Sequence, residues 1–205
     1  MGLLLSGGGD PENVVPLDAF FVRRIDLRKP VLYIPVAMEP HVFTYDECFA
    51  WFKETYNPYG VHAVELCTDL RPAMDLSEYA AVFIGGGNTF KLLKAMKESR
   101  FDEQLIAYCR GGGFIYGGSA GAIIFGAAIL TGTAHGDRNT VGLTDLSGLN
   151  LAGGRDIWCH YSPADDELIR AYENDLYILY EESGLFIEGD KIESVGKMFL
   201  RKSEI

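Results

Sequence analysis

The stretch Phe114-Ile115-Tyr116-Gly117-Gly118-Ser119-Ala120-Gly121 joins three apolar residues to a glycine-rich turn and then to a helical run, Ala120–Ile129. A strand that turns this tightly into a helix is the local unit of a parallel sheet with helical crossovers. The same pattern repeats upstream. Ala80–Ile84 runs straight into Gly85-Gly86-Gly87-Asn88 and a predicted helix Thr89–Lys97, and a second helix, Asp102–Arg110, leads through Gly111–Gly113 back to Phe114. Val61–Leu66, Val31–Val36 (VLYIPV) and Leu3–Leu5 read as further strands, with helices at Tyr45–Tyr56 and Val14–Ile25. The predicted fold class is α/β, a mostly parallel sheet flanked by helices on both faces in three layers, flavodoxin-like in outline.

The last third reads differently. Residues 131–156 are polar and glycine-dotted without periodicity, which predicts a long loop, and loops of that length inside compact domains are usually functional. A strand Ile157–His160 and a helix Asp165–Tyr172 follow. Leu176–Tyr180, Leu185–Glu188 and Lys191–Val195 then predict strands ending in a C-terminal β-hairpin, expected to extend one edge of the same sheet. No linker, repeat or low-complexity tract interrupts the chain, so residues 1–205 are read as a single domain.

Composition excludes several classes. With 48% hydrophobic and 23% charged residues the chain has globular arithmetic rather than that of a disordered segment. Eighteen basic against 29 acidic residues give a net charge of −11, which argues against a nucleic-acid partner. No apolar run reaches the roughly 18 residues of a membrane span, and Met1-Gly2-Leu3-Leu4-Leu5-Ser6 lacks a basic region and cleavage site. A soluble, cytoplasmic protein without a membrane partner is the expectation. Cys48, Cys67, Cys109 and Cys159 form no C-x-x-C pair and read as buried reduced thiols. Glycine is in excess, and twelve of the 24 fall in four clusters beside apolar runs: 7–9, 85–87, 111–113, and Gly117, Gly118 with Gly121.

Gly117-Gly118-Ser119-Ala120-Gly121 fits the G-x-S-x-G nucleophile elbow, whose small flanks let a strand turn sharply and leave a serine exposed. The competing reading is a glycine-rich turn with an ordinary N-cap serine. A serine nucleophile needs a base, and the base needs an orienting acid. Among four histidines, His160 closes a predicted strand, where open α/β sheets gather reacting groups, and is the first choice; His135 is the second. Asp137, Asp145 and Asp156 lie between serine and histidine, Glu181 and Glu182 after it, and spacing alone does not choose among them. Gly86 or Gly87 would present a second oxyanion donor beside the Ala120 N–H. A phosphate loop is the rival, although neither G-x-G-x-x-G nor a Walker lysine is present. The histidines form no ligand pair, so neither a metal nor another cofactor is expected.

A strand ending in Gly-Gly-Gly-Asn, another ending in Gly-x-Ser-Ala-Gly about thirty residues later, a strand ending in Cys159-His160-Tyr161 and a C-terminal hairpin whose first strand ends in an acid together resemble the peptidase E, or aspartyl dipeptidase, family. That family is related to cyanophycinase and to the class I glutamine-amidotransferase-like fold. The resemblance runs from Leu3 to Glu193 and implies a serine peptidase acting on short peptides through a Ser-His-Glu unit, with Ser119 as nucleophile, His160 as base and Glu181 as acid. Glu182 is adjacent and Asp137 is the nearest match to an activity-linked acid after the elbow. Cys159 departs from the proline that usually precedes the histidine. An N-terminal aspartate would need local cations; Arg138 and Arg155 are the candidates, with Asn88 as a further substrate contact. The alternatives are an esterase or acylase using Asp137 or Asp145, and a non-catalytic flavodoxin-like module. Whether the chain is a monomer or homodimer is not legible.

Overall fold

The computed structural model describes residues 2–203. Five parallel strands form its centre: β1 (Gly2–Ser6), β2 (Val31–Ile34), β3 (Val64–Leu66), β4 (Ala81–Ile84) and β5 (Phe114–Gly118). Two further strands extend the free edge of β1, β8 (Gly184–Glu188) antiparallel to β1 and β9 (Lys191–Val195) antiparallel to β8, giving the order β3-β2-β4-β5-β1-β8-β9.

Why the central strands are apolar throughout follows from their burial on both faces. Side chains alternate across a strand. Val31, Tyr33, Ala81, Phe83 and Tyr116 enter one layer, packed under α1 (Val15–Val22) and α2 (Tyr45–Tyr56) with Phe21 and Phe52. Leu32, Ile34, Val82, Ile84 and Ile115 face the other layer, under α3 (Thr89–Ser99), α4 (Phe101–Arg110) and α5 (Ala120–Ile123). The first layer is aromatic: Tyr33 stacks on Phe52 at 4.5 Å between ring centroids, and Phe83 on Tyr116 at 4.3 Å. Each such ring buried is worth roughly 1.5–3 kcal/mol. Helix α2 starts where the sequence says it should, because Thr44 and Glu47 form a reciprocal capping box.

Two expectations are corrected. The strand at Leu176–Leu179 (β7) does not extend the main sheet. One edge of β1 is held by β5 and β8 takes the other, so β7 pairs instead with β6 (Asp156–Trp158) and with β10 (Met198–Arg201), forming a separate three-stranded sheet. Strand β10 was not anticipated. The helix after the elbow stops at Ile123 rather than Ile129. Phe125 and Gly126 donate to carbonyls three residues back, after which Ala127 bonds to the Arg155 carbonyl and Ile129 to that of Leu146, so the backbone is claimed by the following loop.

That loop, 131–156, begins with a 3₁₀ segment at Leu130–His135 and then lies along α3. Lys94 Nζ donates to the Val141 carbonyl (2.6 Å), and Lys97 Nζ to Asp145 (2.6 Å) and to the Ser147 carbonyl (2.7 Å). All four cysteines are buried free thiols. Among the described residues, no helix is long and apolar enough to cross a membrane.

Candidate active site

Ser119 sits between β5 and α5 with φ +52° and ψ −114°, a left-side conformation that non-glycine residues rarely adopt. The flanking glycines explain how the chain reaches it. A Cβ on Gly117 would overlap the Gly121 carbonyl, and one on Gly121 would overlap that of Ile84, whereas Gly118 has ordinary room, its nearest contact being Tyr116 Cε1 at 3.8 Å. The Ser119 N–H is fixed by the Ser6 carbonyl at 3.1 Å.

His160 arrives from the other sheet. The residues after β6 cross toward the end of β1, where the His160 N–H donates to the Gly7 carbonyl (2.9 Å) and the Tyr161 N–H to that of Leu179 (3.0 Å). His160 also has positive φ, +49°. Its Nε2 lies 2.7 Å from Ser119 Oγ, and its Nδ1 lies 3.0 Å from Glu181 Oε1. Glu181 is in the turn after β7, held because Ser183 N–H donates to the Tyr180 carbonyl and Gly7 N–H to the Ser183 carbonyl. Glu181 and the adjacent Glu182 are both exposed, but among the described residues only the Glu181 carboxylate meets a hydrogen-bond partner. Cys159, fully buried, packs its sulfur 3.7 Å from the carbonyls of Ser6 and Ser119; burial pushes its thiol far up, so it stays protonated.

The glycine triplet 7–9, unassigned in sequence, belongs to this site. A Cβ on Gly8 would overlap His160 Cε1, one on Gly7 the Tyr180 carbonyl, and Gly9 approaches Glu181 Cβ, 3.1 Å from where its own Cβ would be. Glycine excess was the signal; which strand ends would meet was not readable from it.

Gly86 lies directly against the serine, its would-be Cβ 3.3 Å from Ser119 Cβ and 3.8 Å from Oγ. The Gly85 N–H is spent on the Ile34 carbonyl and the Asn88 N–H on that of Ala37. Among the described residues no backbone acceptor takes the N–H of Gly86, Gly87 or Ala120.

Other residues singled out in the sequence have different neighbours. Asn88 is the N-cap of α3: its side chain accepts from Lys91 N–H (3.0 Å) and donates to the Arg138 carbonyl (3.0 Å), which leaves it little for a substrate. Asp137 accepts from the N–H (2.9 Å) and hydroxyl (2.6 Å) of Thr89, tying the long loop to the positive end of α3 rather than reaching His160. Asp145 pairs with Lys97, and Asp156 is buried under Ala128 N–H, Tyr172 and Asn174. Arg155 lies at the start of β6, the end opposite His160, over the Tyr177 ring. Arg138 is exposed beside a separate hollow of about 390 Å³. His135 has its ring 5.5 Å from that of His160, and burial, with its histidine neighbour, holds its pKa below the usual imidazole value.

A cavity of about 610 Å³ opens beside Ser119 and His160, at the C-terminal ends of β1, β2, β4 and β5. A larger, more open hollow of about 840 Å³ lies at the opposite ends of β1 and β5, near Gly111–Gly113. Open α/β sheets bind ligands beyond the carboxyl ends of their strands, and the serine is there, so the first cavity is the candidate site.

Comparison with known proteins identifies a family for the chain. The profile of Peptidase family S51 matches residues 3–195. The chain is 32% identical over 92 residues to a "Probable alpha-aspartyl dipeptidase" of Drosophila melanogaster, covering 45% of this chain and 37% of that protein. It is 28% identical over 156 residues to Peptidase E of Citrobacter koseri, covering 74% and 63%. The chain thus spans less than two thirds of the length of either relative. In fold it is similar to a Listeria monocytogenes crystal structure described as a candidate peptidase E, with TM-score 0.77, 24% identity and coverage of 94% and 96%. With nearly its whole length matched, from β1 to the end of β9, the chain belongs to peptidase family S51.

Proposed function

We propose that this protein is a serine peptidase that hydrolyses short peptides through Ser119, His160 and Glu181. The observation that carries the reading is the hydrogen-bonded chain Ser119 Oγ to His160 Nε2 to Glu181, at 2.7 and 3.0 Å, on three separate elements. His160 takes the hydroxyl proton as Oγ attacks the peptide carbonyl, and Glu181 holds the ring and stabilises its cation. The N–H groups of Gly86, Gly87 and Ala120 receive the oxyanion. When the C–N bond breaks, the proton passes from His160 to the leaving amine. Water then attacks the acyl–Ser119 ester, giving up a proton to His160, and frees the acid and the serine.

Esterase or acylase chemistry with an Asp137 or Asp145 acid has less support, since both carboxylates are held elsewhere. A non-catalytic ligand module gives no reason for the serine–histidine contact. The names of the relatives raise N-terminal aspartate as a substrate, but Arg138 and Arg155, the residues expected to receive it, do not line the cavity at Ser119. The test is a dipeptide panel run on wild type and Ser119→Ala, with a fluorophosphonate to label the nucleophile. Loss of turnover in the variant and labelling at Ser119 are expected; undiminished turnover, or labelling elsewhere, would sink the reading.

A further inference from the structure

The cavity beside Ser119 has a chemistry of its own. Its walls are aromatic, built from Tyr33, Trp51, Tyr56, Phe83 and Tyr116, and among the described residues no lysine or arginine lines it. The charged groups it does have are carboxylates: Asp10 and Glu47 at the mouth and Asp18 below. Lys91, close by, is engaged by the Met38 carbonyl and the Tyr45 hydroxyl. An acidic side chain would therefore leave water for an apolar space of its own charge sign with no partner. A basic side chain fares little better at depth, because the Asp18 carboxylate is itself buried: Oδ1 accepts from the Tyr56 hydroxyl at 2.6 Å, and Oδ2 is shut off from solvent without a hydrogen-bond partner among the described residues.

The position of the cavity says which substrate residue enters it. The leaving amine takes its proton from His160 and so lies on the imidazole side. Most of the cavity extends the other way, from Gly85–Gly87 and Gly118 across β2 and β4 to α2, with Gly8 and Gly9 against His160 and Glu181 on its other side; of the residues that line it, His160 alone follows Ser119 in the chain. We infer that it receives the side chain of the residue that supplies the scissile carbonyl, and that it selects a large neutral apolar residue, such as Phe or Leu, over aspartate and over lysine. This deepens the peptidase reading and rests on it for the step that follows binding.

Two measurements separate the two ideas. Wild type is assayed on Phe-, Leu-, Ala-, Asp- and Lys-p-nitroanilide, which differ only in the acyl residue. Ser119→Ala is titrated calorimetrically with the corresponding amino-acid amides, so that binding is read without chemistry. Phe and Leu should exceed Asp and Lys at least about tenfold in both, the usual reward of filling an apolar pocket. Trp51→Ala, at a wall position that is 40% exposed and so tolerant of change, should narrow the Phe-over-Ala ratio several-fold. Preference for Asp or Lys in binding would overturn the assignment, as would a Phe-over-Ala ratio unmoved in Trp51→Ala. Phe-amide and Leu-amide binding tightest with no turnover of any anilide would uphold the cavity and count against the peptidase; turnover best with Asp would do the reverse.

Discussion

No Cβ fits between Gly8 and His160: built on the glycine backbone it would overlap Cε1 of the imidazole, and Gly8 is at φ +101°, where other residues are strained. The end of β1 is thus the surface against which the His160 ring is seated. Gly8→Ala should push the ring off Ser119. A displacement of about 1 Å in such a group costs on the order of 100-fold in rate. Steady-state kinetics on a peptide that wild type cleaves, with a melting curve to verify folding, should record a fall in kcat of that order; full activity in a folded variant would contradict this.

Glu181 and Glu182 are neighbours in sequence with different consequences. Glu181→Gln keeps the shape but removes the charge that stabilises the imidazolium, and the loss should approach the roughly 10⁴-fold seen for an orienting acid. Glu182→Gln, with its carboxylate in solvent, should leave kcat/KM close to wild type. Equal losses in both variants would show that local charge, not the hydrogen bond to His160 Nδ1, matters.

The elbow glycines divide by sterics. Gly121→Ala drives a methyl into the Ile84 carbonyl and should cost about 1–3 kcal/mol, read as a drop of several degrees in Tm. Gly118→Ala meets nothing closer than 3.8 Å and should leave Tm nearly unchanged. Similar shifts in both variants would mean that backbone freedom, rather than space, is limiting.

Burial raises the Asp18 carboxyl from 3.8 to about 6, the Tyr56 hydrogen bond offsetting part of the shift. Because the folded value lies above the unfolded one, the stability this group contributes is complete below about pH 4 and is lost as pH rises through 6. Asp18→Asn keeps the acceptor for Tyr56 and cannot ionise. Its stability relative to wild type should therefore climb between pH 4 and 7, by an amount on the order of 3 kcal/mol. Denaturant unfolding at pH 4, 5.5 and 7.5 measures it, and a pH-independent difference would refute the burial argument.

Strands and helices of the first 121 residues were legible because each carries its own periodicity and its own glycine or cap at the boundary. Tyr45–Tyr56 begins at a capping box, and Val31–Ile34 is apolar on both faces because both are covered. Leu176–Leu179 looked like a partner for the main sheet because apolar strands do not state which edge they join. Gly7–Gly9 carries a similar ambiguity: a glycine shows that something approaches closely, never what.

The sequence by itself determined the α/β class, the elbow at Ser119 and the short set of histidines and acids that could serve it. These are local properties, written in spacing and side-chain type. Tertiary structure decided that Glu181 rather than Glu182 or Asp137 meets His160, that Asn88 and Asp137 are tied to the start of α3, and that Arg155 stands at the far end of its strand. Such partnerships depend on which strand ends converge, here those of β1, β5, β6 and β7. Convergence follows from packing two sheets together, a property of the whole chain that no single segment encodes.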